Sequence, residues 1–236
     1  MKNAIRFAVL LLVLGAATIA WAQDDERGVG FGFRFNADVD FVDLHQFGHD
    51  LETAGVNDFT PAPPWSGEWS LFVDSLNAQN VLRLGGTFGS LLMEQHHQGS
   101  YVGLHDTHAA LLVGYKRLFS APLGLAAEVH LGGGEWQYDL HSRARQGRAY
   151  EEYWYVEPQL GFELLFGVLG VGVYGSYWTQ AIDSGALFSG DLDAQHYRGL
   201  NLDHFSVKLA FLFGAWMTHK RPDAAPAPTT PPAATP

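Results

Sequence analysis

The segment that decides the fold lies near the C-terminus, where residues 205–216 read FSVKLAFLFGAW. Every second residue from Phe205 to Phe213 is large and apolar, whereas the residues between them, apart from Leu212, are small or polar, such as Ser206 and Lys208. A period of two is typical of a β-strand with two different faces. The segment therefore predicts a strand with an apolar face on one side of a sheet and a polar face on the other.

The same alternation recurs along the chain and predicts seven further strands. They lie at about 29–41, 68–75, 81–94, 106–116, 123–131, 153–164 and 169–176. Short connections alternate with longer ones, which we place at about 42–65, 95–101, 141–150 and 182–198. Tight turns at one rim and longer loops at the other are typical of outer-membrane barrels. We therefore predict an all-β fold, an eight-stranded antiparallel up-and-down transmembrane β-barrel with one short helix in its first long loop.

The distribution of polar residues distinguishes a membrane barrel from a soluble one. The polar face combines glycine, alanine and serine with single charges of both signs, which suits a narrow, filled lumen. The other face is Phe, Leu and Val with almost no charge, as hydrocarbon requires. Aromatic residues near the predicted strand ends, among them Trp65, Trp136 and Tyr177, would form girdles at the membrane interfaces. These features favour a membrane barrel, and a soluble, lipocalin-like barrel in the periplasm or outside the cell is the alternative.

Composition limits the possible partners and the location. The chain has 236 residues with 25 acidic and 14 basic side chains, and its formal net charge of −11 disfavours nucleic acid as a partner. It contains no cysteine, so disulfides and thiolate metal sites are excluded. Residues 1–22 have the basic start, apolar run and small-residue cleavage pattern of a secretory signal peptide. We therefore expect export to the outer membrane.

We expect three parts in the chain. The signal peptide of residues 1–22 precedes a barrel domain at 23–218, and a disordered tail rich in Pro, Ala and Thr follows at 219–236. Within the barrel domain, residues 43–54 carry apolar side chains at three- and four-residue spacing, which predicts a short helix in the first long loop. This helix would decorate the loop or plug the mouth of the barrel, and we favour decoration.

In strand number, loop alternation and an aromatic-rich last strand, residues 28–217 resemble small eight-stranded outer-membrane barrels such as the OmpA transmembrane domain and OmpW-like proteins. They resemble still more closely uncharacterised secreted bacterial barrels in which the first strand runs into a short helix before a glycine-rich hairpin. The resemblance is one of architecture and includes no diagnostic motif. About twenty residues follow Trp216, whereas many such barrels end on a terminal Phe. The resemblance implies outer-membrane lipid and the barrel-assembly machinery as partners, and it leaves any surface partner open.

Few residues are candidates for chemistry. His45 and His49 are four residues apart on the predicted helix and are weak candidates for binding one metal ion. Ser100, His105 and Asp106 form the best local triplet for a lipid-modifying enzyme, although neighbouring positions do not converge on one site. The chain has no nucleophile elbow, phosphate loop or dinucleotide motif. We therefore predict no catalytic residues and no cofactor.

The charged residues of the polar face are expected to form an ionic network that fills the lumen, because buried charges need partners. The predicted members are Arg34, Arg83, Asp106, His108, Lys116, Glu128, His130, Glu157, Glu163 and Lys208. A filled lumen favours a non-enzymatic outer-membrane protein with a role in envelope structure or surface interaction. A barrel that binds or transports a small ligand is the first alternative, and a lipid-modifying enzyme is the second.

Overall fold

In the computed structural model, the described residues form one closed antiparallel sheet. They are residues 27–42, 65–77, 79–97, 100–120, 123–141, 146–183, 187–190 and 203–219. The predicted signal peptide, the predicted helix at 43–54 with His45 and His49, and the tail beyond residue 219 lie outside these ranges. Within them, no helix is long and apolar enough to cross a membrane.

The described part of the chain contains nine strands. They are β1 (Arg27–Val42), β2 (Trp65–Asn77), β3 (Asn80–His97), β4 (Ser100–Ser120), β5 (Leu123–His141), β6 (Gln146–Phe166), β7 (Leu169–Asp183), β8 (Leu187–Gly190) and β9 (His204–His219). Strands β1 to β7 pair in chain order, and β9 closes the ring because it pairs with both β7 and β1. This ring of eight strands confirms the predicted up-and-down barrel. The alternation pattern does not predict β8, which pairs with residues 147–150 of β6.

The two rims of the barrel differ in their connections. The connections at 78–79, 121–122 and 167–168 lie at one rim, which we call the turn rim, and the opposite rim is the loop rim. Between the rims, outward-facing apolar side chains such as Phe31, Leu111 and Phe162 are more than half exposed. The alternate side chains, such as Arg34 and Glu163, are completely buried in the interior. The barrel is therefore apolar outside and charged inside over most of its length.

This polarity inverts near the loop rim of β4, β5 and β6. One row of residues paired across these strands consists of Ala109, Gly133 and Trp154. From this row towards the turn rim, the outward face is mostly aliphatic and aromatic. The next outward row towards the loop rim consists of Thr107, Glu135 and Glu152. Beyond it, most buried inward side chains are apolar or aromatic, for example Trp136, Tyr138 and Leu140, although Asp106 and Glu151 are buried in the row of Trp136. We call the Ala109–Gly133–Trp154 row the inversion row.

The inversion explains two errors in the predicted loops. The segments 95–101 and 141–150 were predicted to be long connections, but only two residues separate β3 from β4 and only four separate β5 from β6. Beyond the inversion row the apolar residues of β5 change from odd to even positions. A prediction that follows apolar residues only at odd positions therefore ends the strand too early. For the same reason Trp136 is buried in the interior and is not part of an interfacial girdle.

Gly85 and Gly86 are neighbours in β3 and provide a matched test of the packing. A methyl group added at Gly85 would collide with the backbone carbonyl of Leu71, whereas the nearest atom to one added at Gly86 is the carbonyl oxygen of Ala110 at 3.6 Å. We expect Gly85→Ala to lower the free energy of unfolding by about 1–3 kcal/mol through overpacking. Gly86→Ala is expected to change it by less than about 0.5 kcal/mol. Urea unfolding followed by tryptophan fluorescence measures both, and equal effects would contradict the described packing.

Candidate functional site

The interior of the barrel is the candidate functional site, and it has two layers. The layer nearer the turn rim, which we call the ionic layer, consists of Arg34, Asp38, Glu68, Asp74, Arg83, Lys116, Glu128, His130, Glu157, Glu163 and Lys208. The layer nearer the loop rim, which we call the upper core, consists of Leu91, Val102, Leu104, Trp136, Tyr138, Leu140, Ala149, Tyr153, Tyr155 and Trp178. The strand alternation turns both sets of side chains into the lumen.

Arg83 of β3 joins several strands in the ionic layer. It is paired in register with Asp74 of β2, and its Nε and Nη2 atoms donate hydrogen bonds of 2.8 and 3.0 Å to the two carboxylate oxygens. Its Nη1 atom donates to Glu128 at 2.9 Å and to Glu163 at 2.8 Å. Its guanidinium carbon lies 3.9 Å from the centre of the Phe72 ring. One charged fork thus connects β2, β3, β5 and β6, in the geometry that makes arginine–carboxylate pairs strong.

Further contacts extend this network to β1, β4 and β7. Arg34 of β1 donates a hydrogen bond of 2.7 Å to Glu128. Lys116 of β4 donates one of 2.9 Å to Glu163, and the hydroxyl of Tyr174 on β7 donates to the same carboxylate. These side chains are buried, so each charge depends on its protein partners rather than on water.

Glu68, His130 and Glu157 have a spacing that could hold a metal ion. One potential ligand atom from each lies within 4.8 Å of the others. However, the ammonium of Lys208 on β9 lies 3.2 Å from a Glu68 oxygen and 2.8 Å from a Glu157 oxygen. A metal ion at this position would have to displace or repel that ammonium. The arrangement therefore fits ion pairing better than metal binding, and it brings β9 into the network.

The structure brings together eight of the ten residues predicted for the ionic network. The other two, Asp106 and His108, form a pair nearer the loop rim, with 2.7 Å between a carboxylate oxygen and Nδ1. Tyr153 of the upper core donates a hydrogen bond to Asp106. His105 points to the outer surface, where it lies 3.7 Å from Glu94. The neighbouring positions His105 and Asp106 thus face opposite sides of β4, and the triplet considered for lipid chemistry does not form a site.

Several buried carboxylates are absent from the predicted network, and Glu68 and Glu151 are two of them. Asp38 and Asp40 follow Arg34 on the inward face of β1, and Asp74 lies on the inward face of β2. For Asp38 and Asp40 the period of two contains the signal that finds them, because each is an even number of residues from the predicted inward charge Arg34. Trp136, Tyr138 and Tyr153 of the upper core lack that signal, since they lie beyond the inversion row.

A small cavity lies between the ionic layer and the upper core, and we call it the outer cavity. Its volume is about 40 Å³, which is room for about three water molecules at roughly 10–15 Å³ each. Polar side chains lining it include Asp38, Asp40, Ser206 and Lys208. Apolar side chains lining it include Leu91, Leu104, Trp136 and Trp178. Seven of the eight strands of the ring supply side chains to the ionic layer, and Tyr174 of the eighth, β7, donates a hydrogen bond to Glu163. The described lumen is therefore filled rather than open.

A separate polar group lies on the outer surface, beyond the inversion row. The hydroxyl of Tyr150 donates hydrogen bonds to Glu135 at 2.7 Å and to Glu152 at 3.3 Å. The hydrogen bond to Glu135 and the adjacent negative charges raise the pKa of Tyr150 to about 12. Glu135 and Glu152 are directly opposite each other in register, where like charges repel. The shared hydroxyl offsets part of this repulsion.

Glu128 provides a test of the ionic layer. Glu128→Gln removes the carboxylate that pairs with Arg34 and Arg83 and leaves two buried guanidinium groups short of negative charge. We expect the free energy of unfolding to fall by about 3–5 kcal/mol. Glu135→Gln, the same change at an exposed position of the same strand, is expected to cost less than about 1 kcal/mol. Urea titration compares the two variants, and similar costs would show that Glu128 is not a desolvated partner.

No protein-family model and no curated protein matches the chain. Among solved structures, a major outer membrane protein from Thermus thermophilus superposes with a TM-score of 0.52 at 9% identity, covering 78% of this chain and 99% of that chain. Ail, the attachment invasion locus protein of Yersinia pestis, has a TM-score of 0.43 at 7% identity, covering 81% of this chain and 99% of that chain. Neisserial surface protein A has a TM-score of 0.45 at 7% identity, covering 80% of this chain and 99% of that chain.

At such low identities the comparisons concern the fold alone, and of these three only the Thermus protein is similar enough to carry that argument. Its likeness covers nearly the whole of that chain, and it agrees with the closed antiparallel ring described above. The chain therefore has the architecture of the small eight-stranded outer-membrane β-barrels.

Proposed function

We propose that the protein spans the outer membrane as a closed β-barrel and has a non-enzymatic role in envelope structure or surface interaction. The observation that supports this proposal is the inversion of polarity in register across β4, β5 and β6. The outward side chains of these strands are apolar on one side of the inversion row and polar on the other. This change fits a barrel that is surrounded by hydrocarbon on the first side and by water on the second.

The outward face on the turn-rim side of the inversion row is suited to lipid. Leu111, Leu160 and Phe162 are each more than half exposed there, among many other apolar side chains. Monomeric soluble proteins rarely expose contiguous apolar patches larger than a few hundred Å². Hydrocarbon removes the cost of this exposure. On the other side of the row the apolar side chains turn inwards, as they do in a barrel surrounded by water.

The length of the apolar region matches a bilayer. On β5 it runs over the 11 residues Leu123–Gly133 and on β6 over the 13 residues Trp154–Phe166, whereas on β4 the exposed Arg117 lies near its turn-rim end. A tilted transmembrane strand needs about 9–11 residues. The inversion row then marks one boundary between hydrocarbon and water, and the turn rim lies near the other.

The filled lumen supports a structural role over transport. Eight strands enclose little space beyond their own side chains, and the ionic layer occupies that space at the depth of the membrane. Its carboxylates are engaged with Arg34, Arg83, Lys116 and Lys208. Carboxylates that are paired in this way stabilise the contacts between strands, which is a reason to favour a non-enzymatic role. In barrels of this kind the tight turns face the periplasm, which assigns the loop rim to the cell surface.

The parts of β4, β5 and β6 beyond the inversion row, together with β8, would form a polar sheet above the membrane. Burial by itself would raise the pKa of Asp139 in this sheet, but hydrogen bonds from Arg148 and Gln137 lower it. The Arg148 contact is 2.6 Å long and ties β5 to β6. A well-ordered polar sheet at the cell surface suits interaction with a surface partner. Outer-membrane lipid and the barrel-assembly machinery complete the partners that we propose.

Leu160 and Glu152 lie on the outward face of β6, on opposite sides of the inversion row, and give a direct test. Leu160→Arg would place a charge in hydrocarbon and is expected to lower the free energy of unfolding in lipid vesicles by about 2–4 kcal/mol. Glu152→Arg introduces the same side chain where water is expected, and its effect should stay within about 1 kcal/mol. Urea unfolding in vesicles, read from the shift of the folded band on an unheated gel, measures both. A soluble barrel would tolerate both changes equally, which would refute the membrane-spanning proposal.

A further inference from the structure

We propose that the outer cavity binds the head group of a small primary ammonium ion. This binding site goes beyond the proposed function, which needs no ligand. Val42 and His204 are the lining residues at the loop-rim ends of β1 and β9, so the cavity extends towards that rim. Three observations support the proposal, namely the charge balance of the described interior, two carboxylate oxygens that lack donors among the described residues, and the mixed lining of the cavity.

Negative charge exceeds positive charge around the outer cavity. Nearer the turn rim, the carboxylates of Asp74, Glu128 and Glu163 are matched in number by the cations of Arg34, Arg83 and Lys116. Closer to the cavity, the described residues include five buried carboxylates, namely Asp38, Asp40, Glu68, Asp106 and Glu157. Facing them are Lys208 and three histidines, namely His108, His130 and His204. Even with all three imidazoles protonated, at least one negative charge remains, and either a proton on one carboxyl group or a bound cation is needed to neutralise it.

Two oxygens at the cavity lack hydrogen-bond donors within the described ranges. Asp38 and Asp40 are each only 3% exposed and line the cavity. The Oδ1 atom of Asp38 and the Oδ2 atom of Asp40 are buried, and no described residue donates a hydrogen bond to either. The other oxygen of Asp40 accepts a hydrogen bond of 2.5 Å from Ser206. Buried acceptors nearly always have a donor in a native structure, so a group with N–H bonds and a positive charge would satisfy both requirements.

The arrangement of carboxylates favours an ammonium ion over a metal ion. A metal needs several ligand atoms that converge on one point. In the described part of the chain, only Glu68, His130 and Glu157 converge in this way, and Lys208 already binds the two carboxylates of that group. Asp38 and Asp40 belong to no such group of described residues. An ammonium ion donates separate hydrogen bonds in different directions and therefore does not need convergent ligands.

The lining of the cavity fits the two ends of an alkylammonium ion. Carboxylates lie on the side of the ionic layer, whereas Leu104, Trp136 and Trp178 belong to the upper core. The Lys208 ammonium lies 3.6 Å from Asp38 Oδ2, so the charged head would donate only to the two unsatisfied oxygens, Asp38 Oδ1 and Asp40 Oδ2. Its repulsion from Lys208 must be offset by the excess of carboxylates, and the alkyl group would contact the apolar side. With about 40 Å³ of space, the cavity limits the buried part to a head group and a very short chain.

Methylammonium chloride is the probe for the test. The full-length protein, refolded in detergent, is titrated calorimetrically at neutral pH and constant ionic strength. We expect saturable binding at one site per protein. Asp40→Asn should weaken this binding about ten- to hundredfold, because a charged hydrogen-bond acceptor becomes neutral. Asp139→Asn is the matched control, because it neutralises a carboxylate outside the cavity and should leave the affinity unchanged. The gel shift of the unheated protein confirms that each variant is folded.

Further measurements keep the proposal open to refutation. If Asp40→Asn does not fold, Asp38→Asn is used with the same expectation. Tetramethylammonium carries the same charge without N–H donors, and it should bind at least about tenfold more weakly than methylammonium. Absence of saturable methylammonium binding, equal binding by the Asp40→Asn and Asp139→Asn proteins, or tighter binding of potassium or zinc would each overturn the proposal. None of these results would bear on the membrane-spanning role, which the β6 arginine variants test separately.

Discussion

Charge buried inside a closed ring of strands must be neutralised by neighbouring side chains, and the guanidinium of Arg83 does this for much of the interior. It contacts Asp74, Glu128 and Glu163, which come from three different strands. The lumen of eight strands is only wide enough for side chains, so bulk water does not take over this role. The distance across the barrel is therefore fixed by these contacts as well as by the backbone hydrogen bonds of the wall.

The inward glycines provide the space that this network needs. A Cβ atom at Gly114 would come within 2.8 Å of the Glu128 side chain, and one at Gly161 would collide with the ring of Tyr174. The same two side chains contact Arg34, one by an ion pair and the other with its ring 4.9 Å from the guanidinium carbon. Glycines on the inner face thus leave the space that the large side chains opposite them occupy. This pairing explains why the polar face of the sequence combines glycine with isolated charges.

The number of strands in the ring and their facing at membrane depth could be predicted from the sequence, because a period of two, interrupted only at Leu212, runs through Phe205–Phe213. The outer part of β5 could not, because its apolar residues change parity between Leu131 and Trp136 where the surroundings change. The members of the ionic network could be largely named from the polar face, but their pairing could not. The pairing of charges depends on the position of each side chain along the barrel axis. Asp106 lies nearer the loop rim than the residues of the ionic layer and is therefore separate from them.

The pairing of β1 with β9 joins the first and last strands of the described chain. Phe33 lies opposite Phe213, and Arg27 lies opposite His219. The ring therefore cannot close until the last strand has been delivered, and one edge of β1 has no partner during that interval. Contacts between such distant parts of a sequence form slowly, and an open strand edge is a template for pairing with other chains. The order of the strands thus leaves an interval during assembly in which the edge of β1 is unpaired. If this edge is protected during the interval, the barrel closes as a monomer, and if it is not, the chain aggregates.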